Sequence, residues 1–151
     1  MSGPVERTGG LNVYTAMEVA ASGLTAERTR MNVIASNLAN ARTTKTADGT
    51  PYKRLEPVFV AQLLPGTAAD PVARAVQKVG VAEIREDAAP GQRVYDPGHP
   101  DADASGYVEY PNVSVVSEMV NMMAASRAYE AGVTSLESLK SMARAALKIG
   151  R

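Results

Sequence analysis

Apolar residues recur at both ends of the chain at steps that keep one stripe on one face of a helix. Between Leu11 and about Ala41, Met17, Leu24, Met31 and Leu38 fall seven residues apart, with Ala20, Ala21, Ile34 and Ala35 between them. Toward the other end, Val115, Met119, Met122, Ser126, Tyr129, Val133, Leu136, Lys140, Ala143 and Leu147 step by four and three. Such steps hold a narrow seam on one side of a helix, as in coiled coils. The pattern therefore predicts two long helices. The second follows Pro111, which cannot sit inside it, is capped by Asn112 or Ser114 with Glu118 near its positive end, and runs to about Ile149. Neither seam is stable in water, so each helix needs a partner.

The stretch between the helices reads differently. Asp48-Gly49 marks a turn, residues 57–64 read as a strand closed by Pro65-Gly66, and residues 65–73 read as a loop. Val76–Glu86 reads as a second strand, Arg93–Tyr95 as a short extended run and Gly106–Tyr110 as a last one, with a tight turn at Asp96–Pro100. The predicted fold class is mainly α with a small β-rich insert, the N- and C-terminal helices paired as an antiparallel coiled coil. The expected organisation is a disordered N-terminal tail over 1–10, a discontinuous helical core domain over 11–43 and 113–149, and a β-rich insert over 44–112. Two details qualify the first helix. Gly23 interrupts it, which either serves a close contact with another helix or is a tolerated weak spot. Asn40 is suited to the left-handed conformation that closes a helix.

The run from Met119 to Ala125 is apolar over more than one stripe, and the adjacent pair Met122-Met123 cannot both face one seam. This helix should therefore touch partners on two sides, which favours an oligomer over a monomer. The candidate assembly interface is the set of seam positions: Met17, Leu24, Met31, Ile34 and Leu38 in the first helix, and Met119, Met122, Tyr129, Val133, Leu136 and Ala143 in the second. An isolated chain cannot bury both seams, so its terminal helices are expected to be largely disordered until docking covers them.

Composition narrows the function classes. One Phe, no Trp and six Tyr leave little bulk for a thick core, and Ala and Val supply most of the apolar count. Lys+Arg and Asp+Glu balance at 16 each, with the signs interspersed, so no field draws nucleic acid or anionic lipid. Without cysteine, disulfides and thiolate metal sites are excluded. The first ten residues carry no apolar core of a cleaved signal peptide, and no stretch approaches the eighteen apolar residues of a membrane span.

Candidate chemistry is sparse. Asp101-Ala-Asp103-Ala-Ser105-Gly106 resembles the start of a calcium-binding EF-hand loop, but Asn112 stands where the bidentate Glu belongs and no helix can enter from Gly91–Pro100. A polar turn is the expected reading. His99, the single histidine, lies in a turn beside Pro100 without partners for a metal site. No Ser, Thr or Lys stands beside an evident base, and no Gly-rich loop precedes a helix. No enzymatic activity, metal or cofactor is expected. A rival to self-assembly at this stage is a secreted coiled-coil adaptor or effector that binds partner helices without polymerising.

Several separated motifs then resemble one family. Ala35-Ser-Asn37-Leu38-Ala39-Asn40-Ala41 is similar to the N-terminal signature of bacterial flagellar rod, hook and hook-associated proteins. Ala20–Leu24, Arg30–Asn40, Thr43-Thr44, Pro51–Arg54 and Pro57–Phe59 resemble the proximal rod members in particular. So do Gly98–Pro100, Gly106–Val113, Glu118–Met122, Ala125–Ala131 and the ending Ala146–Arg151. Two departures stand out: Gly132 replaces a usual Asn, and Thr50 a common Gly. The resemblance implies a non-enzymatic subunit of the flagellar basal body, with Asn37 and Asn40 shaping the helix exit. It implies copies of the same chain, other rod proteins and the flagellar type III export apparatus as partners. It further implies export without a cleaved signal peptide and a place in the rod, which crosses the periplasm in a Gram-negative cell.

Overall fold

A computed structural model describes residues 12–65 and 71–149. The elements run α1 (Val13–Ala39), β1 (Leu55–Leu63), α2 (Pro71–Arg74), β2 (Gln77–Glu86), β3 (Gln92–Tyr95), β4 (Tyr107–Tyr110) and α3 (Val115–Ile149). The expected tail over 1–10 lies outside the described residues. At 27 and 35 residues, α1 and α3 are about 40 and 52 Å long.

Local chemistry sets the helix ends. Asn12 has extended backbone geometry, and its side chain accepts the Thr15 N–H at 3.0 Å, satisfying one of the first-turn donors. Asn40 ends α1 without the left-handed backbone expected of it: its φ is −102°. Instead its side-chain amide and its backbone N–H both donate to the Ser36 carbonyl, at 3.0 and 3.1 Å, and its Oδ1 accepts the Thr43 hydroxyl. The side chain thus satisfies the terminal carbonyl that a left-handed residue would otherwise help to cover. Ser114 caps α3 by accepting the Ser117 N–H.

The insert is two separate two-stranded antiparallel ladders, β1–β2 and β3–β4. In the first, Leu55 pairs with Glu86 and Leu63 with Gln77, with a bulge between Val58 and Phe59. Pro57 is tolerated inside β1 because a two-stranded ladder is all edge. The second is short, from Gln92 opposite Tyr110 to Tyr95 opposite Tyr107. It is tightened by the edge-on Tyr95–Tyr107 pair at 5.2 Å and by Arg93 over the Tyr107 ring. The segment read as a loop over 65–73 runs into the single turn α2 from Pro71 on, while residues 66–70 lie outside the described residues.

α1 packs against both α3 and the β1–β2 ladder. Asn37, late in α1, reaches Glu118, early in α3, and Leu24 lies against Gly132. Contacts therefore descend α1 as they ascend α3. Carried on at the same spacing, Ala143 falls level with the start of α1, and residues 144–149, all exposed, run past it. Ser22 joins the third layer by accepting the Val79 N–H of β2 at 3.1 Å. Among the described residues the buried apolar core is few in number and wholly aliphatic: Ala26, Val33, Ile34, Leu64, Val108 and Ala125. The scarcity of aromatics is thus matched by a thin interior.

The seam of α3 is rotated from its expected line. The inward positions are Glu118, Met122, Ala125, Tyr129, Gly132, Leu136, Leu139 and Ala143, all buried or half-buried. Met122, Tyr129, Leu136 and Ala143 are shared with the expected stripe; between them the inward line takes in the residue before each expected one, while Ser126 and Val133 of the expected stripe stay half-buried beside it. Met119, expected inside, is 55% exposed, whereas Glu118 beside it is 1% exposed. The cause is a set of partners that stabilise a buried carboxylate there.

Candidate functional site

Asn37 and Glu118 are the two buried polar side chains of the described residues, and they touch. The Asn37 amide donates to the Leu55 carbonyl at 2.9 Å and to Glu118 Oε2 at 3.0 Å. Its Oδ1 accepts the Tyr52 hydroxyl at 2.9 Å and the Leu55 N–H at 2.8 Å. Both donors and both acceptor positions of the amide are used. Because it engages both the N–H and the C=O of Leu55, Asn37 stands in for a neighbouring strand at the first residue of β1.

Glu118 completes the junction. Its Oε1 accepts Arg54 Nε at 2.9 Å and, more loosely, the Asn121 amide at 3.4 Å. Burial alone would pull the Arg54 guanidinium below its ordinary value. The hydrogen bond and charge of Glu118, aided by Glu56 and Asp87, more than reverse that, so its pKa is raised. The Arg54 backbone N–H donates to Asn112 Oδ1 at 2.7 Å, and the Asn112 amide donates to the Asp87 and Ala89 carbonyls. One polar lock therefore joins the end of α1, the start of β1, the segment after β2 and the start of α3. Sequence reasoning placed Asn37 at the helix exit and Glu118 at a dipole, and it missed their contact. Arg54, Asn112 and Glu118 all lay within the recurring motif blocks, which was the available signal.

The opposite face of α3 is apolar and uncovered. Val115, Val116, Met119, Val120 and Met123 are exposed, and they recur at the one-, three- and four-residue steps of one helix side. Met122 is half-buried and Met123 exposed, so the doublet divides between two faces. The other candidate interface residues sit as follows. Ile34 is buried between layers, and Met17, Leu24, Met31 and Leu38 are half-buried along α1. Tyr129, Val133, Leu136 and Ala143 are half-buried along α3. Met119 is separated from these and belongs to the open face.

The Asp101–Gly106 segment is a loop brace. The Asp103 carboxylate accepts the Ser105 and Tyr107 N–H groups at 2.8 and 3.0 Å and pairs with Arg93 at 2.7 Å, while Asp101 accepts the Thr44 hydroxyl at 2.7 Å. The Tyr107 N–H, then the Ser105 N–H and Arg93, hold the Asp103 carboxyl below the usual carboxylate value. Gly106 takes φ +79°, which the tight return into β4 requires. His99 Nδ1 accepts the Asp101 N–H within the same loop. No described helix is long and apolar enough to cross a membrane.

Comparison with known proteins agrees with this layout. The family profile "Flagella basal body rod protein" matches residues 17–45, and "Flagellar basal body rod FlgEFG protein C-terminal" matches residues 104–149. The two matches contain the two sides of the lock, Asn37 in one and Asn112 and Glu118 in the other. The flagellar basal-body rod protein FlgC of Escherichia coli O6:H1 is 46% identical over 93% of this chain and 98% of its own length. Its namesakes from Borreliella burgdorferi and Bacillus subtilis are 41% and 37% identical, over 92% and 93% of this chain and 98% and 100% of their own. At such identity over nearly the whole length, this chain belongs to the FlgC family of flagellar basal-body rod proteins.

Proposed function

We propose that the chain is a non-enzymatic structural subunit of the flagellar basal-body rod, built into the axial stack through its terminal helices. The helical core over 11–43 and 113–149 pairs as an antiparallel coiled coil and carries the contacts along the axis. The insert over 44–112 packs outside it. The observation that carries this reading is the uncovered apolar face of α3, Val115, Val116, Met119, Val120 and Met123, on a helix whose other side is already occupied by α1. Such a face is stable only when other copies or other rod proteins cover it. A head-to-tail contact that does not close generates a helical stack, and torque passes along the packed helices. The polar lock fixes the insert rigidly to the core, so load on one is borne by the other. The chain reaches the rod through the flagellar type III export apparatus, without cleavage of a leader.

The first variant substitutes residues that are already in water. Met119→Asp with Met123→Asp leaves the α1 contact untouched, so the chain is expressed and exported but absent from purified basal bodies, and cells are non-motile. Leu38→Asp on α1 gives the same result. Normal incorporation of both variants refutes the reading. A discrete complex of fixed small stoichiometry, in place of a stack, favours an adaptor instead.

A further inference from the structure

A second open surface lies nearer the N-terminal end of α1 than the lock. An apolar groove of about 450 Å³ runs between α1, α3 and the β1–β2 ladder, lined by Ala20, Gly23, Leu24, Phe59, Val79 and Gly132. Its two helical glycines differ. A Cβ on Gly132 would come within 2.8 Å of Leu24 Cδ2, so Gly132 lets the Leu24 side chain pack where it does, and any larger residue would make it shift. A Cβ on Gly23 would meet nothing within 4 Å. Gly23 weakens the middle of α1 and nothing in its own subunit needs it. Glu27 lines the same groove, and its Oε2 is buried yet accepts no hydrogen bond; Arg30 approaches only to 3.7 Å. A buried carboxylate oxygen left in that state is costly until a donor arrives.

The geometry points to the overhanging end of α3 from a second copy as the occupant of this groove. Residues 144–149 project past α1, and they combine exposed Leu147 and Ile149, 73% and 86% open, with Arg144 and Lys148. Arg144 and Lys148 stand four apart, hence on one face, with Leu147 beside them. The apolar side chains fit the groove floor, the missing Gly23 side chain lets the helix approach closely, and one cation supplies the donor Glu27 lacks. Tail and groove are different surfaces of the chain, so the contact is head-to-tail and leaves each end open for the next copy. This inference rests on the rod-subunit reading and names the partner for one of its surfaces.

The experiment uses the full chain and follows self-association by sedimentation. Gly23→Leu fills the groove while improving the helix, so helicity is kept and association weakens by on the order of tenfold or more. Glu27→Lys weakens it similarly, and mixing that variant with Arg144→Glu/Lys148→Glu chains restores it. The chain has no cysteine, so Gly23→Cys and Leu147→Cys chains, mixed under oxidation, report the contact directly. Within one chain these positions are about 22 Å apart along the helices, beyond the roughly 7 Å a disulfide spans. Linked heterodimers support the proposal. Association that Gly23→Leu leaves unchanged, or a mixture without linked dimers, overturns the groove contact alone. An unaltered chain that neither self-associates nor enters the rod overturns the rod-subunit reading as well.

Discussion

Glu118→Leu removes the acceptor at the centre of the lock. Arg54 Nε loses its partner at 2.9 Å, and Asn37 loses one of its two amide acceptors. Taking one member from a buried pair costs about 3–5 kcal/mol, because the other charge is left without compensation. Arg54 stays 23% exposed and keeps Asp87 at 3.9 Å, so the lower end, about 3 kcal/mol, is expected. The N-terminal position of Glu118 on α3 adds about 0.3–1 kcal/mol from the helix dipole. Removing both partners together relieves the orphaned charge. Arg54→Met with Glu118→Leu is therefore expected to cost about 2 kcal/mol less than the two single changes summed. The assay is helicity against urea on the self-associated chain, at one fixed protein concentration high enough for its helices to form, since association shifts the apparent midpoint. With a slope of about 1–3 kcal/mol per molar urea, the single change moves the midpoint by roughly 1–3 M. A loss below about 1 kcal/mol, or strict additivity in the double variant, refutes the lock as a coupled unit.

Three further outcomes are expected. Gly132→Val crowds Leu24 and destabilises the chain by about 1–3 kcal/mol in the same urea assay, with Leu24→Ala relieving part of the loss. Gly23→Ala, by contrast, meets open space and raises stability by up to about 1 kcal/mol, read as a higher urea midpoint. Asp103 has a lowered folded-state pKa, so its stabilising contribution is complete above the unfolded carboxylate value and is lost as pH falls through the folded one. Carboxyl NMR should place its midpoint below the usual Asp range, and Arg93→Met should move it upward.

Much of the architecture was legible because period and punctuation carry it. The four-and-three steps located both helices, and Pro111 and Ser114 marked where α3 begins. The recurring motif blocks indicated the family before any contact was known. The rotation of the α3 seam was not legible. A helix period of 3.6 allows neighbouring stripes through the same heptad residues, and the choice between Met119 and Glu118 depends on Arg54 and Asn37, distant in sequence. A lone glutamate near a helix start reads as a solvated dipole partner until its buried cation is seen. Asn40 misled for a related reason: its side chain does the work expected of its backbone. The unmet demands of Gly23 and Glu27 appear only once the packing around them is known.

Cryo-imaging of purified basal bodies tests the central claim most directly, because it shows what covers α3. The account predicts that a neighbouring subunit packs onto Val116, Met119, Val120 and Met123, with α1 remaining on the opposite side. A rod in which this face is left open to water, or in which the chain is absent, contradicts it.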